Sequence, residues 1–332
     1  MRRPIHALAT VLAGALLLSG CGSGVTTPGG ASAAGAVTVE NCGREVTVSG
    51  TPSRAVGLHP AQTELLLRLG LADRLAGQAQ TANRPLPGDV APLAADVPVL
   101  GDAEPPSREK LLAARPDFVF SPTTYEFTAE QGFATIEQLT DAGASVYVAA
   151  GGCADRRMKG SVEDIFTDLG ALGRIFGVQD AATKMINTAR ADLEAVADAV
   201  AGVRPRTVAQ LYVEGGTLSA IGAGVEYDIV RRAGGKNVFG PDDEAFADFF
   251  VAQISPEEVA AREPEAIVFG VADEEHERTT REYLTRTFPD VPAVRDGRLI
   301  AVPSPDLLPG TLGNVNAVRR IATGLYPEAL AE

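Results

Sequence analysis

The side chains able to do chemistry are few and far apart. Beyond residue 20 the chain holds two histidines, His59 and His276, and three cysteines, Cys21, Cys42 and Cys153. A zinc or manganese centre needs several imidazole, thiolate or carboxylate donors at short spacing, and no such cluster is visible. There is no Gly-x-Ser-x-Gly elbow, no His-Glu-x-x-His helix and no paired Cys and His, so the usual arrangements for nucleophilic or metal-assisted catalysis are missing. Gly222 and Gly224 are spaced as in a dinucleotide fingerprint but lack its third glycine. With 43 acidic against 29 basic residues the net charge is −14, a sign that repels phosphate backbones and anionic lipid headgroups. These residues lead to no expectation of a catalytic site, a nucleic-acid partner or a resident cofactor.

The first residues supply an address. Arg2 and Arg3 precede an apolar run from Ala7 to Leu18, too short to span a bilayer and of the length of a signal-peptide core. The run ends in Leu18, Ser19, Gly20 and Cys21, which resembles the lipobox of bacterial lipoproteins, in which the cysteine sulfur takes a diacylglycerol. Residues 1–20 are therefore read as a signal peptide, and Cys21 as the lipidated first residue of an exported protein. Cleavage removes two arginines and no acid, taking the net charge from −14 to −16. Residues 21–36, mostly Gly, Ser, Thr, Ala and Pro after the cysteine, bury too little apolar surface to order themselves and read as a tether. Cys42 and Cys153 remain, and in an oxidising compartment they are expected to pair; two independent buried thiols are the alternative.

The rest of the chain is long enough for two cores, and it repeats. Arg54 to Leu58 is a short apolar strand, followed by a turn at His59 and Pro60 and a helix from Thr63 stopped by Gly70. Thr207 to Val213 is a second strand, followed by a Gly-rich stretch read as a turn up to Gly224 and a helix from Tyr227 stopped by Gly234. One unit later the match sharpens. Pro106 to Phe120 parallels Ile254 to Phe269: each is a short capped helix, a proline that ends it and a buried strand, with Glu109 and Glu257 at the same place. Helices at 135–142 and 280–287 and strands at 146–149 and 299–302 continue the alternation, which argues for parallel sheets covered on both faces. Between the halves lie helices at 162–176 and 181–201; in the second, Ala182, Met185, Ala189, Leu193, Val196 and Val200 form one apolar stripe. At 1.5 Å per residue that helix is about 30 Å long, enough to bridge two lobes. The expected organisation is an N-terminal α/β lobe over 37–178, a linker helix over 179–203 and a C-terminal α/β lobe over 204–332.

These segments together resemble the periplasmic binding proteins for ferric siderophores, cobalamin and haem. The resemblance runs from about Val37 to Leu330 and is carried by Pro52 to Pro60 with Thr63 to Gly77, by the two Glu-helix-Pro-strand units, and by Ala233 to Phe239. It implies two Rossmann-like lobes joined by a single long helix, and no enzymatic activity. It implies capture of a metal chelate by a monomer tethered to the outer face of the cell membrane, and an ABC permease with its ATPase as partners. An exported α/β lipoprotein enzyme is the rival reading. In such proteins a glutamate on each lobe meets permease arginines, and Glu109 and Glu257 match those positions; a first-turn carboxylate also stabilises its own helix dipole. One departure stands out: the family's pocket often carries tryptophan, and this chain has none.

Open α/β sheets bind ligands at the carboxyl ends of their strands. That rule selects His59, Pro60 and Gln62 after the first strand, Tyr125 after Phe120, Glu214 and Gly215 after Val213, and Ser304, Leu307 and Leu308 after Val302. Arg84, in a Pro-flanked loop, would offer a charge to an acidic ligand, Tyr125 an aromatic wall, and Leu307 and Leu308 an apolar one. His59 reads equally as a turn residue or as an axial donor to a metal macrocycle. Ala223 and Gly224, ahead of a helix, could accept an anion at its N-terminus.

Overall fold

The computed structural model describes residues 35–330. The residues read as a signal peptide, Cys21 and nearly all of the expected tether lie outside the described residues.

A hairpin comes first, β1 (Ala36–Asn41) pairing antiparallel with β2 (Arg44–Ser49). Alternation along it turns Val39, Val46 and Val48 into the core. Its turn residue Cys42 is bonded to Cys153, with Cα atoms 5.1 Å apart and a sequence separation of 111. Asn41 adds a reciprocal pair to Val148, donating Nδ2 to its carbonyl at 2.7 Å and accepting its N–H at 2.9 Å.

The first lobe then alternates strand and helix: β3 (Ala55–Gly57), α1 (Pro60–Arg68), β4 (Leu75–Ala79), β5 (Val99–Gly101), α2 (Arg108–Ala113), β6 (Phe118–Ser121), α3 (Ile136–Asp141) and β7 (Ser145–Val148). Its five strands pair in the order β5-β4-β3-β6-β7, all parallel. Parallel strands covered on both faces read as continuous apolar runs, as Phe118, Val119 and Phe120 do at 0% exposure. Gly57 is required here, because a Cβ would lie 2.5 Å from Thr63 Oγ1 on α1.

Two helices follow, α4 (Asp164–Phe176) and α5 (Gln179–Ala199), with Gly177 in the left-handed region between them at φ 70. On α5, Ala182, Ala189, Leu193 and Val196 are buried, while Met185 and Val200 pack at the margin. The apolar core is continuous through this region, running from Phe118 and Phe176 through α5 to Val208 and Ile321. The halves are thus joined by a shared core as well as by one helix.

The second lobe holds β8 (Arg206–Glu214), β9 (Thr217–Ile221), α6 (Gly224–Arg232), β10 (Gly235–Asn237), β11 (Val251–Gln253), α7 (Pro256–Ala261), β12 (Ala266–Val271), α8 (Glu274–Thr287), α9 (Pro292–Arg295), β13 (Leu299–Pro303) and α10 (Gly313–Leu325). Strands β10, β8, β12 and β13 are parallel, but β9 runs antiparallel to β8 and β11 antiparallel to β9. This sheet is therefore mixed, which corrects the expectation of two parallel sheets. The stretch after Val213 is no simple turn: Gly215 and Gly216, both at positive φ, reverse the chain, and Leu218, Ala220 and Ile221 find a core beyond them.

The repeat between the lobes is geometric. Ser107 caps α2 by accepting from Lys110 N, and Ser255 caps α7 by accepting from Glu258 N. Each helix leaves through a non-glycine residue at positive φ directly before proline, Arg115 at 46 and Glu263 at 43. A carboxylate one residue past that proline then braces the start of the neighbouring strand. Asp117 accepts from Ser53 N and Arg54 N, and Glu265 from Thr207 N.

Candidate ligand cleft

The carboxyl ends of the first lobe's strands and the loop after β13 meet along one seam. His59 caps α1, its Nδ1 accepting from Ala61 N at 3.2 Å, with Pro60 in the first helical turn. Burial, and after it the charge of Arg84, lower the His59 pKa to about 4, so the ring is neutral at physiological pH with its proton on Nε2. Gln62, fully buried on the same helix, crosses to the second lobe and donates Nε2 to the carbonyl of Gly310 at 3.0 Å. Gly310 has to be glycine, since it sits at φ 69 and a Cβ would lie 2.4 Å from Ala149 Cβ.

Arg84 makes the second crossing. Its guanidinium lies 3.1 Å from Asp306 Oδ1 and 3.7 Å from Glu64 Oε2, with side chains only 20%, 12% and 10% exposed. Burial raises the Asp306 pKa, and the arginine opposes that rise. An ion pair this far from water repays its desolvation only with good geometry, so it sets the register of the lobes more than it stabilises the fold. Deeper under the seam, Asp168 accepts from Tyr147 Oη at 2.9 Å and Ala150 N at 2.8 Å, while its Oδ2 has no partner. Burial pushes this carboxyl up to about 7.

The other expected residues divide between the seam and elsewhere. Tyr125 stands 46% exposed beyond β6, its ring edge-on to Phe133 at 5.7 Å. It is held there by the neighbouring Glu126, which accepts from Ser121 Oγ and Thr123 Oγ1. Ser304 lies over Gly270 on the inner face of the second sheet, where a Cβ on that glycine would come within 3.0 Å of its Oγ. Leu308 is partly buried beside it, but Leu307 belongs to the core at 6% exposure, because the short helical turn after β13 rolls it inward. Glu214 and Gly215 occupy the exposed tip of the β8–β9 hairpin and border a separate cavity of about 420 Å³ with Thr279, Tyr283 and Arg286. Extension of the hairpin carried them there. Their link to the inner face is Tyr212, which donates Oη to Glu214 Oε2 at 3.1 Å. His276 is structural, accepting from Ala272 N at Nδ1 and reaching Val213 O from Nε2 at 2.9 Å. A further cavity of about 720 Å³ lies between α1, α5 and α10, lined by Glu64, Met185 and Leu312 among others.

Sequence reasoning also missed an aromatic contact between the lobes. Arg157, in the loop after the disulfide, lies over the rings of Phe249 and Phe250 at 5.5 and 5.7 Å. Gly224, at the start of α6, touches the same loop through its N–H to Met158 O at 3.3 Å, so the anion site expected at Ala223 and Gly224 is taken up by backbone. Phe249, 46% exposed, puts aromatic surface in a chain without tryptophan, and two adjacent phenylalanines in a polar loop were the available signal. Glu109 and Glu257 are each the second residue of their helices. Its own backbone N–H and the adjacent Arg108 hold the Glu109 carboxyl below the usual range.

Two α/β lobes sharing a helical spine and facing each other across a polar seam define a bilobed binding protein, with no catalytic constellation among the described residues. The family model described as periplasmic binding protein matches residues 56–305, and the chain belongs to that family. Its members bind solutes for transport and are exported. A periplasmic binding protein from Veillonella parvula superposes with a TM-score of 0.77 at 23% identity, over 88% of this chain and 98% of its own. The structure titled ABC-type Fe3+-hydroxamate transport system, from Saccharomonospora viridis, gives 0.69 at 25%, covering 87% of this chain and 98% of that one. The periplasmic catecholate-siderophore binding protein of Vibrio cholerae gives 0.68 at 17%, covering 88% and 100%. Among curated protein sequences there is no significant match.

Proposed function

We propose that this chain is the lipid-anchored receptor of an ABC importer, which captures a ferric siderophore or cobalamin-like complex between its lobes and delivers it to the permease. The observation that carries this reading is the convergence of strand-end loops from both lobes on one seam, where Arg84 meets Asp306 across it. A ligand entering there must displace or recruit those charges, and polar, partly buried groups of this kind fix the orientation of a bulky polar chelate. The similarity to the Fe3+-hydroxamate transport structure favours an iron chelate over other solutes. Cys21 would hold the receptor at the outer face of the membrane, and Glu109 and Glu257, paired by the repeat, would meet the permease.

Native mass spectrometry of protein purified from its own host tests the proposal directly. The expected result is a copurified metal chelate of several hundred daltons or more, and a raised melting temperature when that chelate is added back. A copurified sugar, amino acid or peptide would overturn it.

A further inference from the structure

The inner face of the second lobe carries polar groups that the fold leaves unused. Along β8, Ala209, Leu211 and Val213 belong to the outer core and Val208 to the inner one, so Gln210 and Tyr212 also face inward. Gln210 is 1% exposed, and neither its Nε2 nor its Oε1 has a hydrogen-bond partner. A buried amide with both ends unsatisfied is costly in an ordinary core, and such groups are rare without a reason.

Glu226 faces the same ground from α6. Val230, one turn further along that helix, packs with Val208 around Gly235, which sets Glu226 opposite the next inward positions of β8, at Gln210 and Tyr212. Its charge in turn acts on Tyr212. Among the described residues the Glu226 carboxyl has no ion-pair or hydrogen-bond partner. The nearby cations are committed elsewhere: Arg231 to Asp228, Arg232 to Asp228 and Glu163, and Arg157 to the two phenylalanines. Burial with no counter-charge pushes the Glu226 carboxyl up to about 8, the direction expected of an acid lacking its cation.

We infer that Gln210, Tyr212 and Glu226 form a cation-selective subsite, which admits a ligand bearing a protonated amine and discriminates against the same ligand without that charge. The inference rests on the receptor reading above and names the class of chelate within it. An ammonium group brings three donors and one positive charge. The site offers the amide oxygen of Gln210, the carboxylate of Glu226 and the phenolic oxygen of Tyr212, and no cation is paired with any of the three among the described residues. The acidic surface of the protein favours the approach of the same class of ligand.

The test uses two matched probes, a linear ferric trihydroxamate ending in a primary amine and its N-acetyl derivative, with affinity read by tyrosine fluorescence or calorimetry. The wild-type protein should bind the amine form at least tenfold more tightly, and in Glu226→Gln, checked for an unchanged melting temperature, the two should come within about twofold. Equal wild-type affinities, or a preference that survives Glu226→Gln, would overturn the subsite. Failure of both probes to bind would count against the ferric hydroxamate reading, and the ligand extracted from protein of the native host then decides the subsite. A basic nitrogen in that ligand upholds it, even in a molecule that binds no metal, and the absence of one overturns it.

Discussion

Breaking the Cys42–Cys153 bond should lower stability by an amount that the fold allows to be worked out. The bond closes a loop with a sequence separation of 111, for which the chain-entropy model gives about 4–5 kcal/mol through restriction of the unfolded chain. The native state loses little, because the hairpin stays docked by the reciprocal Asn41–Val148 pair and by buried Val39, Val46 and Val48. At roughly 2.1 cal/mol/K per residue, a body of this size has an unfolding entropy near 0.6 kcal/mol/K, so the melting temperature should fall by up to about 7–8 °C. Scanning calorimetry of the oxidised protein, the reduced protein and the Cys42→Ala, Cys153→Ala double variant measures this, with peptide mapping to establish the linkage. Reduced and double-variant proteins should melt together, below the oxidised form. Two alkylatable thiols in the native exported protein, or a midpoint within about 1 °C of the oxidised one on reduction, would refute the reasoning.

Cys21→Ala should release the protein in soluble form or leave the signal peptide uncut, as fractionation and mass analysis would show; a mutant still membrane-bound and normally processed would contradict the anchor. Glu109→Ala and Glu257→Ala should keep ligand affinity and melting temperature but lower uptake, and the double variant should lose most of it; loss of binding instead would place the two residues in the cleft. Asp168 has a pKa raised to about 7, so the folded state holds its proton more tightly than the unfolded chain does. The stability it contributes is fully present below its unfolded pKa near 4 and is lost as pH rises towards 7. Asp168→Asn should therefore flatten the decline in melting temperature between those limits, and an unchanged slope would show that the carboxyl is ionised throughout.

Much of the fold can be read in the residues. Alternating strands and helices, the paired Glu-helix-Pro-strand units and the apolar stripe of α5 are local patterns, each fixed by a period of two or 3.6 and by capping and proline chemistry. The segment after Val213 was harder because Thr217 to Ile221 is short and follows two glycines, and only the core that receives Leu218 and Ala220 makes it a strand. That one strand moved Glu214 to a hairpin tip. The strand-end rule selected residues by their place in sequence, without telling which side chains the fold itself would consume.

What the sequence by itself determined is the two-fold architecture, the acidic charge and the candidates on strand-end loops, since all of these depend on composition and near neighbours. Tertiary structure alone decided how those candidates are used. Gln62 and Arg84 were expected to await a ligand, yet they span the seam to Gly310 and Asp306, partners more than 200 residues away. Gln210 and Glu226 carried no signal in sequence, because a glutamine in a strand and a glutamate in a first helical turn are ordinary. They become unusual only when packing buries Gln210 and half-buries Glu226 on one face, neither with a partner. Desolvation and pairing are properties of the three-dimensional surroundings of a group, and those surroundings are assembled from segments that the linear order keeps apart.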